Sequence, residues 1–192
     1  MKIEKAIYTL KRLSLIALVS ISSQLSFSQC ATPVATLSEN FAAGLPTCWS
    51  TNFTQFYANA YISGQAVHLT ADDQQWTNYA VSHLITPLLT NAHGTMTFYA
   101  ERGFGFAGSP VEVGVVTSPT DMASFVLVQT FNPPQTTGGT YSVNFSAYAG
   151  NDKYIAFRLK QGPSGNRKVI LDNINYTAAC ESSTVTAIFK NF

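Results

Sequence analysis

Charge is what this chain has least of. Its 192 residues carry 11 Lys and Arg and 10 Asp and Glu, together 11% of the sequence. No basic stripe runs along it, which argues against nucleic acid or an anionic membrane as partner. Helical periodicity is missing too: no segment repeats apolar residues at the i, i+3, i+4, i+7 spacing of an amphipathic helix. Beyond the N-terminus no apolar run reaches the roughly 20 residues that cross a bilayer. His68, His83 and His93 lack ligand spacing, and no Cys–His or Ser–His–Asp order can be read from the chain.

What the chain does have is short alternating runs. Val34–Phe41, Ala66–Thr70, Tyr79–Ile85, Thr95–Arg102, Glu112–Ser118, Val126–Phe131, Thr140–Ser146, Tyr154–Lys160 and Val169–Tyr176 are β-branched and aromatic, with period two and turn residues between them. An aromatic-rich stretch, Asn52–Ile62, adds another. About ten short strands of this kind read as an all-β fold, a jelly-roll β-sandwich of two antiparallel sheets. Asp121 is placed to cap a single helical turn before Phe125.

The first 28 residues read as a secretory signal peptide. Lys2, Lys5, Lys11 and Arg12 form a positive n-region, Leu13–Ile21 a short apolar h-region, and Ser26–Ser28 a small-residue cleavage site. Cleavage leaves Gln29 first. A membrane anchor is opposed by Ser14, Ser20, Ser22, Ser23 and Gln24, which interrupt the apolar run, and lipoprotein processing at Cys30 by the bulk of Gln29 before it. The mature chain keeps seven Lys and Arg against nine Asp and Glu, a net charge of −2. Its 164 residues suit one domain.

Export places Cys30, Cys48 and Cys180 in an oxidising space, where an odd count leaves one over. If the first and last strands pair antiparallel, aligning Cys30 with Cys180 also sets Glu39 opposite Leu171–Asp172. That register favours a Cys30–Cys180 bridge with Cys48 free beside Trp49; other pairings stay open.

Several short motifs occur in a recognisable order: Glu39-Asn40-Phe41, Leu45-Pro46-Thr47-Cys48-Trp49-Ser50, Leu84–Leu89, Thr95–Ala100, Val111–Gly114 with Ser118–Asp121, and Leu171–Ile174. In that order and spacing the chain resembles the MAM-like, choice-of-anchor J or cleaved-adhesin domains of secreted Bacteroidetes proteins. The resemblance covers Glu39 to Thr177. It implies a jelly roll, surface export and a non-catalytic role in adhesion. The expected organisation is a signal peptide at 1–28, a jelly-roll adhesin-like domain at 29–180 and a tail at 181–192.

Four constellations bear on function. Gly103–Gly108 matches G-x-G-x-x-G, but Ser109-Pro110 and a strand follow where a dinucleotide fold needs a helix, so it reads as a hairpin loop. Glu39 and Asp172, brought together by the pairing above, would repel unless neutralised, which points to a structural Ca²⁺ with Asn40 and Asn173 as weaker ligands. The resemblance supports calcium, since related adhesin-type jelly rolls hold it. The alternative has each acid accepting backbone N–H bonds. Glu101 and Glu112 flank the Gly103–Ser109 loop on strands read as neighbours, the arrangement a glycosidase pair would need. Trp76 beside Asp72 and Asp73, with Tyr79, offers an aromatic face and polar groups for a sugar ring; Trp49 reads as core. The resulting expectation is a secreted, non-enzymatic adhesion or carbohydrate-binding module, its partner an extracellular glycan or surface protein. The alternatives are a structural accessory domain of a larger hydrolase or protease, and a small glycan-active enzyme.

Overall fold

The computed structural model describes residues 30–54, 58–71, 80–103, 108–161 and 167–180. They form eleven strands: β1 (Thr36–Glu39), β2 (Ser50–Phe53), β3 (Ala58–Ser63), β4 (Ala66–Ala71), β5 (Val81–Ile85), β6 (Thr95–Arg102), β7 (Val111–Val116), β8 (Val126–Phe131), β9 (Gly139–Asn144), β10 (Tyr154–Lys160) and β11 (Arg167–Thr177). A 3-10 turn at Met122–Ser124 precedes β8, and the Asp121 carboxylate accepts the Ala123 N–H there, the capping role its sequence position implies. The signal segment, the tail and the loop residues 55–57, 72–79, 104–107 and 162–166 lie outside the described residues.

Every strand pairing is antiparallel, in two sheets. One runs β3-β4-β11-β6-β9; the other runs β2-β5-β10-β7-β8. β6 takes one edge of β11 along its length, while β4 and β1 share the other edge end to end, β4 beside Arg167–Leu171 and β1 beside Ile174–Thr177. Alternation then decides which side chains meet. Met96, Phe98 and Ala100 of β6, Val111, Val113 and Val115 of β7, and Ile155, Phe157 and Leu159 of β10 face inward and are wholly buried. Phe98 packs edge-on to Phe157 at 4.9 Å and to Phe131 at 5.2 Å, tying the sheets together at the centre of one shared core. Trp49 is core, as read from sequence, edge-on to Phe41 at 5.3 Å.

Two expectations are corrected here. Cys30 is bonded to Cys48, with Cα atoms 5.2 Å apart, and Cys180 is free and exposed. The reason is register. Leu37 stands opposite Tyr176 and Glu39 opposite Ile174, three residues along from the alignment that a Cys30–Cys180 bridge requires. Three is an odd shift, so it also exchanges the faces. The observed register sets Leu37 against the buried Tyr176 ring; the other would have set it against Asn173. Continued to Ala178, whose N–H donates to the Ala35 carbonyl, this register brings Cys180 level with Pro33, three residues short of Cys30. Meanwhile the turn at Cys30 and the turn leading into β2 converge, and Cys48 becomes the near sulfur.

The second correction concerns the premise for calcium. Glu39 is not set opposite Asp172. Its Oε1 accepts the N–H groups of Asn40 and Phe41, at 3.0 and 2.7 Å. Asp172 lies beyond a β-bulge, where Asn173 adopts φ +48°, and its Oδ1 accepts the Asn173 N–H at 2.6 Å. Among the described residues no three of His, Cys, Asp and Glu gather as a ligand set.

Candidate functional site

The anchors of three loops fall at one end of the sandwich. Ala71, before the 72–79 loop, pairs with Arg167; Val81, after it, pairs with Lys160. Arg102 and Val111, on either side of the glycine-rich loop, pair with Val169 and Leu159. Lys160 and Arg167 bracket the β10–β11 connection. The sequence candidates Trp76, Asp72, Asp73 and Tyr79 themselves lie outside the described residues. The glycine-rich stretch joins two strands, β6 and β7, where a dinucleotide fold needs a helix; those strands lie in different sheets, so it is a connection between the sheets and not the hairpin read from sequence.

From this loop end a row of side chains runs along the outer face of the five-stranded sheet. On β10, Ile155, Phe157 and Leu159 point into the core, so Tyr154, Ala156, Arg158 and Lys160 point out. Cross-strand pairing sets Arg158 beside Glu112 on one side and His83 on the other. Arg158 Nε donates to Glu112 Oε2 at 2.6 Å, and Lys160 Nζ lies 2.9 Å from Glu112 Oε1. Burial opposes ionisation of Glu112, but hydrogen bonds from Lys160 and Arg158 outweigh it and hold the carboxyl below its ordinary range. Arg158 also lays its guanidinium 3.7 Å from the centre of the Phe125 ring.

Phe125 has its place because Gly114 lacks a side chain. A Cβ on Gly114 would strike the Val126 carbonyl and the Phe125 ring edge. With the glycine, Phe125 joins Met122 and Tyr154 in covering Ile85, Val116 and Ala156, a small apolar cluster on the outside of the sheet. This strip continues at the other end of the same sheet into an open groove of about 380 Å³. Trp49, Leu88, Pro119, Tyr154 and the Cys30–Cys48 bridge line it. The surface thus offers an apolar strip with aromatic rings beside a fixed array of charged donors and acceptors. Sequence reasoning missed the array. Its signal was present, Arg158 and Lys160 at period two on a strand, but only the β7–β10 register shows that Glu112 faces them.

The two carboxylates considered for glycoside cleavage are separated. Glu101 is on β6 and Glu112 on β7, strands of different sheets. Each alternates with buried core residues, so the two point out of opposite faces. Packed sheets lie about 10 Å apart, which with outward side chains leaves the carboxyls roughly 18 Å apart, beyond the roughly 5–10 Å of a glycosidase pair. Glu101 instead accepts the Tyr99 hydroxyl at 3.0 Å.

No family model and no curated protein matches the chain. Solved structures do. A cleaved adhesin domain of Lys-gingipain from Porphyromonas gingivalis matches with a TM-score of 0.58 and 21% identity, over 76% of this chain and 99% of that one. A second cleaved adhesin domain of the same protein matches with 0.58 and 20%, over 75% and 98%. A variant of a family 29 carbohydrate-binding module, made to probe ligand recognition, matches with 0.55 and 16%, over 80% and 99%. At these identities the likeness establishes the fold: this chain shares the β-sandwich of cleaved adhesin domains and of carbohydrate-binding modules.

Proposed function

We propose that this protein is a secreted, non-catalytic binding module that holds an extracellular glycan at the bacterial surface. The observation that carries the reading is the outer face of the five-stranded sheet. There Arg158, Glu112 and Lys160 form a preset hydrogen-bonding array next to the Phe125–Tyr154 strip. Sugar rings need both parts, an apolar surface for their C–H faces and fixed polar groups for their hydroxyls. The loop residues Trp76, Asp72, Asp73 and Tyr79 are a separate part of the proposal: their loop follows Ala71, the end of β4 in the six-stranded sheet, and leads to Ala80, just before β5 of the five-stranded one. The similar solved domains, adhesins and carbohydrate-binding modules, support it, as does the signal sequence for export. Among the described residues no helix is long and apolar enough to cross a membrane. The test is a glycan array probed with the mature chain, followed by titration calorimetry on each hit. Retention that Glu112→Gln weakens supports the reading; a blank array across neutral and acidic glycans overturns it.

A further inference from the structure

The charge at this site is uneven. Arg158 and Lys160 contact Glu112, and Arg167 adds a third cation at the same end, donating through Nη1 to the Lys160 carbonyl at 3.0 Å. Among the described residues of this face, two cations contact one carboxylate and a third stands beside them, in a mature chain whose net charge is −2. The surplus is local. It is also held rather than free to drift. Arg158 reaches Glu112 through Nε and is braced on Phe125, which fixes the plane of its guanidinium fork. Arg167 Nε is buried and finds no partner among the described residues. The neighbouring His83 is 2% exposed, and its Nδ1 is likewise buried without a partner there. Burial first, and then the Arg158 charge, lower the His83 pKa to about 4, so at neutral pH it adds no charge of its own. A neutral glycan would satisfy hydroxyl contacts here but would leave the excess positive charge uncompensated.

The geometry points to a carboxylated polysaccharide, one carrying uronic acid units, as the ligand of this face, its carboxylate taken by Arg158 with Lys160 and Arg167 alongside. This rests on the binding-module reading and narrows it. A planar carboxylate takes both donors of the arginine fork in one plane; a sulfate ester can also bridge the fork through two of its oxygens, so the sulfated polymer is the arm that separates the two anions.

The test is affinity electrophoresis of the mature protein in gels containing polygalacturonate, its fully methyl-esterified form, dextran sulfate, or neutral mannan and xylan. Expected is retention by polygalacturonate at least about tenfold stronger than by the methyl ester. It should weaken about tenfold on raising salt from 50 to 500 mM, because screening shortens the reach of the charges. Lys160→Gln, at a half-exposed position, should weaken retention several-fold further while circular dichroism keeps the β signature and melting stays cooperative; Arg167→Gln serves as the second variant. Equal retention by polygalacturonate and its ester, or retention by dextran sulfate alone, overturns the carboxylate assignment and leaves a binding module standing. Retention by none of the gels, with the variants folded, overturns both.

Discussion

His83 shows how one residue reports on the whole outer face. It stands between Asn52 and Arg158 on the five-stranded sheet, with the Phe125 ring 6.4 Å away. Burial lowers its pKa from 6.5 to about 4; Arg158 adds to that, while a hydrogen bond to the Asn52 backbone and the Glu112 charge oppose it. Between those two values the unfolded chain takes up a proton that the fold refuses. Stability from this group is therefore full above pH 6.5 and is lost as pH falls toward 4, by on the order of 1–3 kcal/mol. Urea midpoints at pH 7, 5.5 and 4 should fall in the native protein and flatten over that window in His83→Gln. Glu112 acts lower down. Its pKa is depressed from 4.5, so its contribution is present above that value and is lost only as pH falls through the folded pKa. Glu112→Gln should cost about 1–3 kcal/mol at pH 7, because it weakens the anchor of a half-buried Arg158, and the difference from native should shrink below pH 4.5. Trp76 carries the matching prediction for the loop: Trp76→Ala weakens polysaccharide retention and leaves the melting transition cooperative.

At the scale of elements, the strands were legible and their neighbours were not. Thr95–Arg102, Val126–Phe131 and Tyr154–Lys160 were read from alternation with the bounds they have in the structure. Alternation is local, so it finds strands well. Pairing depends on contacts distant in sequence, and that is where the β1–β11 register slipped by three residues and took the disulfide with it. The same slip removes the direct opposition of Glu39 and Asp172 from which a cation was read, and one oxygen of each carboxylate accepts an N–H of its own turn. Two measurements follow. Non-reducing peptide mapping should give a Cys30–Cys48 peptide and a Cys180 that alkylates without reduction. Reduction should lower stability by about 3 kcal/mol, the loop entropy expected for a sequence separation of 18. Melting with and without chelator should give the same midpoint; a fall on chelation, with metal found by elemental analysis, would put a calcium ion at that strand pair.

The whole molecule separates what a binding module needs from what a catalyst needs. Catalysis asks for an acid and a base, or a nucleophile and its activator, within reach of one bond. The sandwich does the opposite with its two considered carboxylates. Glu101 leaves through one outer face beside Tyr99, and Glu112 leaves through the other, neutralised by two cations. The chain's order hid this, because Glu101 and Glu112 are only eleven residues apart across a single loop. That loop, however, crosses from one sheet to the other, and crossing turns sequence neighbours into groups on opposite sides of the core. Binding asks for less: one continuous face with rings and fixed polar groups, which the five-stranded sheet provides from Tyr154 to Lys160. The mature protein incubated with a panel of neutral and acidic polysaccharides should accordingly release no reducing ends while being retained by one or more of them. Release that Glu101→Gln or Glu112→Gln abolishes would require the two carboxylates to act at one bond, and would overturn the non-catalytic assignment together with the separation of faces on which it stands.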